Sequence, residues 1–162
     1  MGITEAEPVK KHSIQGILTH HLKDREGLDY AAFVRVKIDP EGNDSLDIMH
    51  EGHHEQIPDL LVRFAMGSRT DDEQVELWGK LIREVHAAMN SLDKHFIRVG
   101  QGRNVRVVFD VDMGGIYCTR IGSYAFVFGA TLDQAEVNNR RCEEDMRKIV
   151  SEIEAIFTAH GT

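Results

Sequence analysis

Cysteine and proline are both scarce in this chain, with two and three copies among 162 residues. The two thiols, Cys118 and Cys142, are too few for a disulfide framework, which excludes the cystine-stapled secreted class. Both are expected as buried thiols. Long apolar runs are missing as well, since no stretch approaches the roughly 20 residues needed to cross a bilayer. An excess of base is also absent. Lys and Arg number 19 against 27 Asp and Glu, for a formal net charge of −8 and a pI of 5.5. A phosphate-binding face needs clustered Lys and Arg, so this balance argues against nucleic acid and membrane as main partners. The opening stretch MGITEAEPVKKHS holds no apolar core of a signal peptide, and Ala6 stands where the myristoylation pattern wants Ser or Thr. A soluble, cytoplasmic protein is the expectation.

What is present has globular proportions, with 41% hydrophobic and 28% charged residues in a length that suits one domain. No internal repeat, low-complexity tract or interdomain linker interrupts it. Ile14, Ile17 or Leu18, and His21 or Leu22 recur at helical spacing before Gly27, which predicts a short first helix. DYAAFVRVKI then alternates Tyr30, Ala32, Val34, Val36 and Ile38 against Ala31, Phe33, Arg35 and Lys37, the period of a half-buried strand. Asp39-Pro40-Glu41-Gly42-Asn43 reverses the chain, and SLDIMH returns with Leu46, Ile48 and His50 on one face. Pro58 suits the start of a short helix over Leu61 to Met66, so 51–69 reads as an insertion. Thr70 and Glu73 form a capping box ahead of the longest helical stripe, Val75, Trp78, Leu81 or Ile82, Val85, Met89, Leu92 and Phe96. Three strands follow, VRVVFDVD, IYCTRI and YAFVFGA, joined through Gly114-Gly115 and Gly122-Ser123. Thr131 and Gln134 then have capping-box spacing before one closing helix with Cys142, Met146, Ile149, Ile153 and Ile156 or Phe157 on its buried stripe. The fold class is therefore α+β, a single domain over 1–162. An antiparallel sheet of roughly five strands, the first hairpin plus a three-strand meander, is packed between helices.

One motif carries specific chemistry. His50-Glu51-Gly52-His53-His54 matches the zinc-peptidase pattern H-E-x-x-H, in which two imidazoles on one helical turn hold zinc and the glutamate acts as base. The alternative reading is thus a zinc-dependent metallopeptidase with His50 and His54 as ligands and Glu51 as base. That chemistry needs a helix. A strand rising about 3.3 Å per residue separates His50 from His54 by roughly 13 Å, and the turn just upstream predicts a strand. No third ligand follows at peptidase spacing, so the expectation is no catalytic residue, no metal and no cofactor.

Other groups read as structural. Gly100-Gln101-Gly102 leaves a helix and enters a strand, the reverse of a phosphate-binding loop. Cys142, behind Arg140 and Arg141 near a helix start, has no resolving thiol. His20 and His21 lie on the short first helix, one ring packed and one solvated. Trp78 falls on the central stripe as a core anchor.

In its order of elements the chain resembles the roadblock/LC7 family of dynein light chains and MglB-like regulators of Ras-like GTPases. AAFVRVKIDPEGNDSL looks like that family's first hairpin. GGIYCTRIGSYAFVF with AEVNNRRCEEDMRKIVSEIEAIF looks like its last strand pair and closing helix. The resemblance implies a roadblock/profilin-like fold, a homodimer, and a non-enzymatic role in binding another protein such as a small Ras-like GTPase. The same element count also resembles the acidic, dimeric secretion chaperones, a further alternative.

Overall fold

The computed structural model describes residues 13–23, 27–53 and 71–159. Four helices and five strands are present among them. In order they are α1 (Ile14–His21), β1 (Tyr30–Ile38), β2 (Asp44–His53), α2 (Asp71–Arg98), β3 (Arg106–Val111), β4 (Gly114–Ile121), β5 (Ala125–Thr131), α3 (Gln134–Asn138) and α4 (Arg141–Ala159). The strands form one antiparallel sheet in the order β2-β1-β5-β4-β3. The expected hairpin and meander are therefore joined where β1 pairs with β5.

Helices cover both faces, and the strand alternation decides which side chain meets which helix. Tyr30, Ala32 and Val34 of β1, Ile116 and Cys118 of β4, and Phe126, Phe128 and Ala130 of β5 pack against Trp78, Ile82, Val85 and Met89 of α2. The alternate residues Ala31, Phe33, Tyr117, Ile121 and Val127 pack against Ile17 and Leu18 of α1 and Cys142, Met146, Ile149 and Ile153 of α4. Each fully buried aliphatic or aromatic side chain here contributes about 1.5–3 kcal/mol of transfer free energy. Two glycines are imposed by close approach. A Cβ on Gly114 would lie 1.9 Å from the backbone oxygen of Thr131, and Gly27, at φ +97°, would meet the Asp145 carboxylate at the same distance.

Four expectations are corrected. The closing helix is broken: Asp133, not Thr131, caps α3 by accepting from the Ala135 N–H at 2.9 Å. Arg140 then takes φ 61° before α4 begins. Asn138 and Asn139 favour local side-chain bonding over helix, and the left-handed residue re-aims the chain. Second, the β1–β2 ladder shifts register between Phe33 and Val34, so Leu46 and Ile48 face α2 while His50 pairs with Phe33 on the opposite face. An extra residue at Met49 inverts the alternation, as a bulge does. Third, Ile38 is exposed where the period-2 reading placed it inward, and Leu92 and Phe96 of the central stripe are exposed too. The reason for the last is length. Asp93 already lies beside Arg120, one residue before β4 ends. The five further residues of α2 therefore overshoot the sheet by about 7 Å at 1.5 Å per residue. Fourth, residues 51–53 of the expected insertion belong to β2; the rest of it, with the Pro58 helix, Thr70 and His54, lies outside the described residues.

Candidate interaction surface

The surface begins with what fixes α2 in place. Arg120 of β4 donates to both carboxylate oxygens of Asp93, Nη2 to Oδ2 at 2.6 Å and Nη1 to Oδ1 at 3.2 Å. It also donates to the Asn104 carbonyl at 2.5 Å and to Asn90 Oδ1 at 3.1 Å. Asn104 completes the clasp, its N–H reaching Asp93 Oδ1 at 2.6 Å and its amide reaching the Met89 carbonyl at 3.1 Å. Burial alone would raise the Asp93 pKa. Hydrogen bonds from Arg120 and from the backbone and side chain of Asn104 outweigh it and hold the group at about 2. Asn90 also donates to Asp44 of β2 at 3.4 Å, and His86 stacks on Phe126 with ring centres 5.3 Å apart. Burial holds the His86 imidazole below its usual pKa.

Leu77, Leu92 and Phe96 of α2 are exposed. At β3 the sheet ends in an edge strand with no further strand paired to it among the described residues. Val108 is 42% exposed and Phe109 37%, with Val111 close to both, while Leu92 on the helix is 45% exposed. On the far side of β3 a groove of about 310 Å³ opens between β3, β4 and α4, floored by Val108, Tyr117, Met146 and Val150. An edge strand with apolar side chains on both faces is a surface that another polypeptide can cover.

The sequence-predicted chemistry is dispersed. His50, Glu51 and His53 lie in β2, and His54, the second imidazole of the peptidase pattern, lies outside the described residues. Glu51 has a structural bond: its Oε2 accepts from the Tyr30 hydroxyl at 2.7 Å, while its carbonyl accepts from Gln15 of α1 at 3.0 Å. Tyr30 in turn stacks on Trp78 with ring centres 4.7 Å apart. Replacing Glu51 with Ala leaves that buried phenol without its acceptor. The expected loss is about 1–3 kcal/mol, read as a lowered midpoint in urea; an unchanged midpoint would show the bond to be idle. Among the described residues, no group of three or more His, Cys, Asp or Glu could hold a metal. His21 bonds Glu152 at 2.5 Å, joining α1 to α4. Burial pushes the Cys118 and Cys142 thiols up to about 12, so both stay protonated and unreactive. Gly100 and Gly102 take positive φ at the exit from α2.

The sequence matches no protein-family model and no curated protein. Solved structures do match along nearly the whole chain. The gliding protein MglB from Thermus thermophilus superposes with a TM-score of 0.56 at 15% identity, covering 88% of this chain and 87% of that one. MglB from Myxococcus xanthus gives the same score and identity over 90% of this chain and 95% of its own. An MglB with tetrameric arrangement does so over 91% and 89%. The fold is that of MglB. It is the architecture implied by the roadblock resemblance, read from the first hairpin, the meander and the closing helix. Within the MglB fold the exposed β3 and the Asp93–Arg120 clasp are what the residue pattern alone did not disclose. One signal for the clasp was visible: Arg120 is a cation inside the otherwise apolar strand IYCTRI, and a buried cation demands an acid.

Proposed function

We propose that this chain is a non-enzymatic regulator that acts as a homodimer and binds a small Ras-like GTPase. The observation that carries the reading is the apolar edge strand β3, whose Val108, Phe109 and Val111 are exposed at the rim of the sheet, a surface suited to protein and not to a small substrate. The likeness to MglB structures, taken with the regulators in the roadblock family, supplies the kind of partner. A second copy of the chain fits the edge, since two β3 strands pair antiparallel about a two-fold axis and extend both sheets at once. The dimer then presents its remaining surface to the GTPase.

The test uses two measurements. Light scattering is expected to give twice the 18.3 kDa of one chain, and Phe109→Glu, which places a charge on the edge face, is expected to give monomer with its helix content unchanged. The native protein alone is expected to hydrolyse no nucleotide. Added to a Ras-like GTPase of its own cell, it is expected to change hydrolysis or nucleotide exchange in proportion to complex formed. A single-chain mass would remove the dimer; a dimer that alters no GTPase tested would remove the regulatory role. Zinc-dependent cleavage of a peptide library, abolished by Glu51→Gln, would establish the peptidase instead.

A further inference from the structure

The overshooting end of α2 is unlike the rest of this acidic molecule. From Lys94 to Phe109 the sequence KHFIRVGQGRNVRVVF holds Lys94, Arg98, Arg103 and Arg106 and no acid, although the whole chain carries −8. Two acids border it: Asp93 is buried and already held by Arg120 and Arg103, and Asp110, at the opposite end of β3, accepts from Gln134. Among the described residues, Lys94 and Arg98 make no ion pair, while Arg106 lines the groove that also holds Glu143 and Glu154. A helix C-terminus favours cations through its own dipole, which explains part of this charge. It does not explain the apolar side chains among them. Ile97 is 55% exposed and Val99 68%, on a segment that projects past the sheet and has no sheet beneath it.

From these features we propose that the end of α2, with the turn that follows it, is a membrane-surface contact that inserts Ile97 and Val99 among the headgroups of an anionic bilayer. The contact is local: no described helix is long and apolar enough to cross a membrane. Its physics is that of an interfacial element, aliphatic side chains entering the acyl boundary while flanking Lys and Arg reach lipid phosphates. The shape favours lipid over an acidic protein, because the aliphatic groups stand on a projection that a fluid surface accommodates without a matching pocket. The sheet end beside it bears Tyr124, 61% exposed in the β4–β5 turn, a residue suited to the headgroup layer. Acids also occur at that end. Asp39 is tied into its own turn by the N–H groups of Glu41 and Asn43, Asp47 is paired with Lys37, and Asp44 faces Asn90, leaving Glu41 as the group that opposes approach. The net negative charge of the whole is screened beyond about 8 Å at physiological salt, so a cationic tip can dock while the acidic body stays in solution. This inference stands apart from the GTPase reading and does not depend on it.

The experiment is co-sedimentation of the full chain with vesicles of equal parts phosphatidylglycerol and phosphatidylcholine, beside vesicles of phosphatidylcholine alone. Binding is expected to the first and not the second, weakening as salt rises. Lys94→Glu with Arg98→Glu is expected to reduce it by about 25-fold or more, from about fivefold per cation. Ile97→Ser with Val99→Ser is expected to abolish what remains; this variant should melt with the native protein because both side chains are exposed, and the charge reversal slightly below it because it opposes the helix dipole. No binding to the anionic vesicles, equal binding to both, or binding that survives the double charge reversal overturns the proposal. So does capture by soluble polyglutamate or DNA in the absence of vesicle binding, which would give the tip to an acidic macromolecule.

Discussion

Replacing Arg120 with Ala is expected to lower the unfolding free energy by about 3–5 kcal/mol, because it removes the main cation from a buried carboxylate and leaves it Asn104 and the more distant Arg103. The loss should be seen as a shifted urea midpoint with unchanged slope. The control is the paired change Asp93→Leu with Arg120→Met, which removes both charges and should recover most of the stability, since a buried ion pair is often no better than apolar residues of similar volume. Acid gives a second reading. Asp93 is held at about 2 in the folded protein, below its ordinary 3.8, so its stabilising contribution is complete above the ordinary value and is lost as pH falls through about 2. The native protein should therefore lose stability through this range more steeply than Arg120→Ala, and the two curves should converge in acid. Parallel curves would show that the clasp is not what sets the Asp93 charge.

Trp78→Ala is expected to be as severe, about 3–5 kcal/mol, because it empties the space between Tyr30 and Phe128 beneath α2. Any loss of protein binding should follow the unfolded fraction, with the variant binding normally once cooled to where it is folded. A Trp78→Ala protein with an unchanged melting temperature and no binding would make the indole a surface contact and contradict its placement against the sheet.

The parts of the fold that were legible in the sequence are those where one local rule decides. Period-2 alternation assigned Tyr30, Ala32 and Val34 to one face and Ala31 and Phe33 to the other, and both faces are covered as that pattern requires. The misreadings arise where something other than the local period decides, the end of a neighbouring element or a bulge. Leu92 and Phe96 continue a faultless helical stripe, but the sheet that would bury them stops near Ile121. His50 continues the alternation of Leu46 and Ile48, but a bulge one residue earlier reverses it, and no composition signal marks Met49. The interaction surface was the least legible. Val108 and Phe109 look like core residues, and only the position of β3 at the rim makes them exposed. The HEGHH letters, by contrast, drew notice for zinc chemistry, whereas Glu51 proves to be the acceptor for a buried tyrosine.

The pairing of β1 with β5 also bears on how the chain finds its structure. Tyr30 meets Ala130 a hundred positions later, whereas β1–β2 and the β3–β4–β5 meander each close through short turns. The two local units can form in microseconds as hairpins do, but their union must close a loop spanning most of the chain before any of its hydrogen bonds return free energy. Joining β1 to β5 is thus expected to be the slow step, and truncating Val34 or Phe126, which pair across it, is expected to slow folding more than it speeds unfolding, read from the two arms of a chevron.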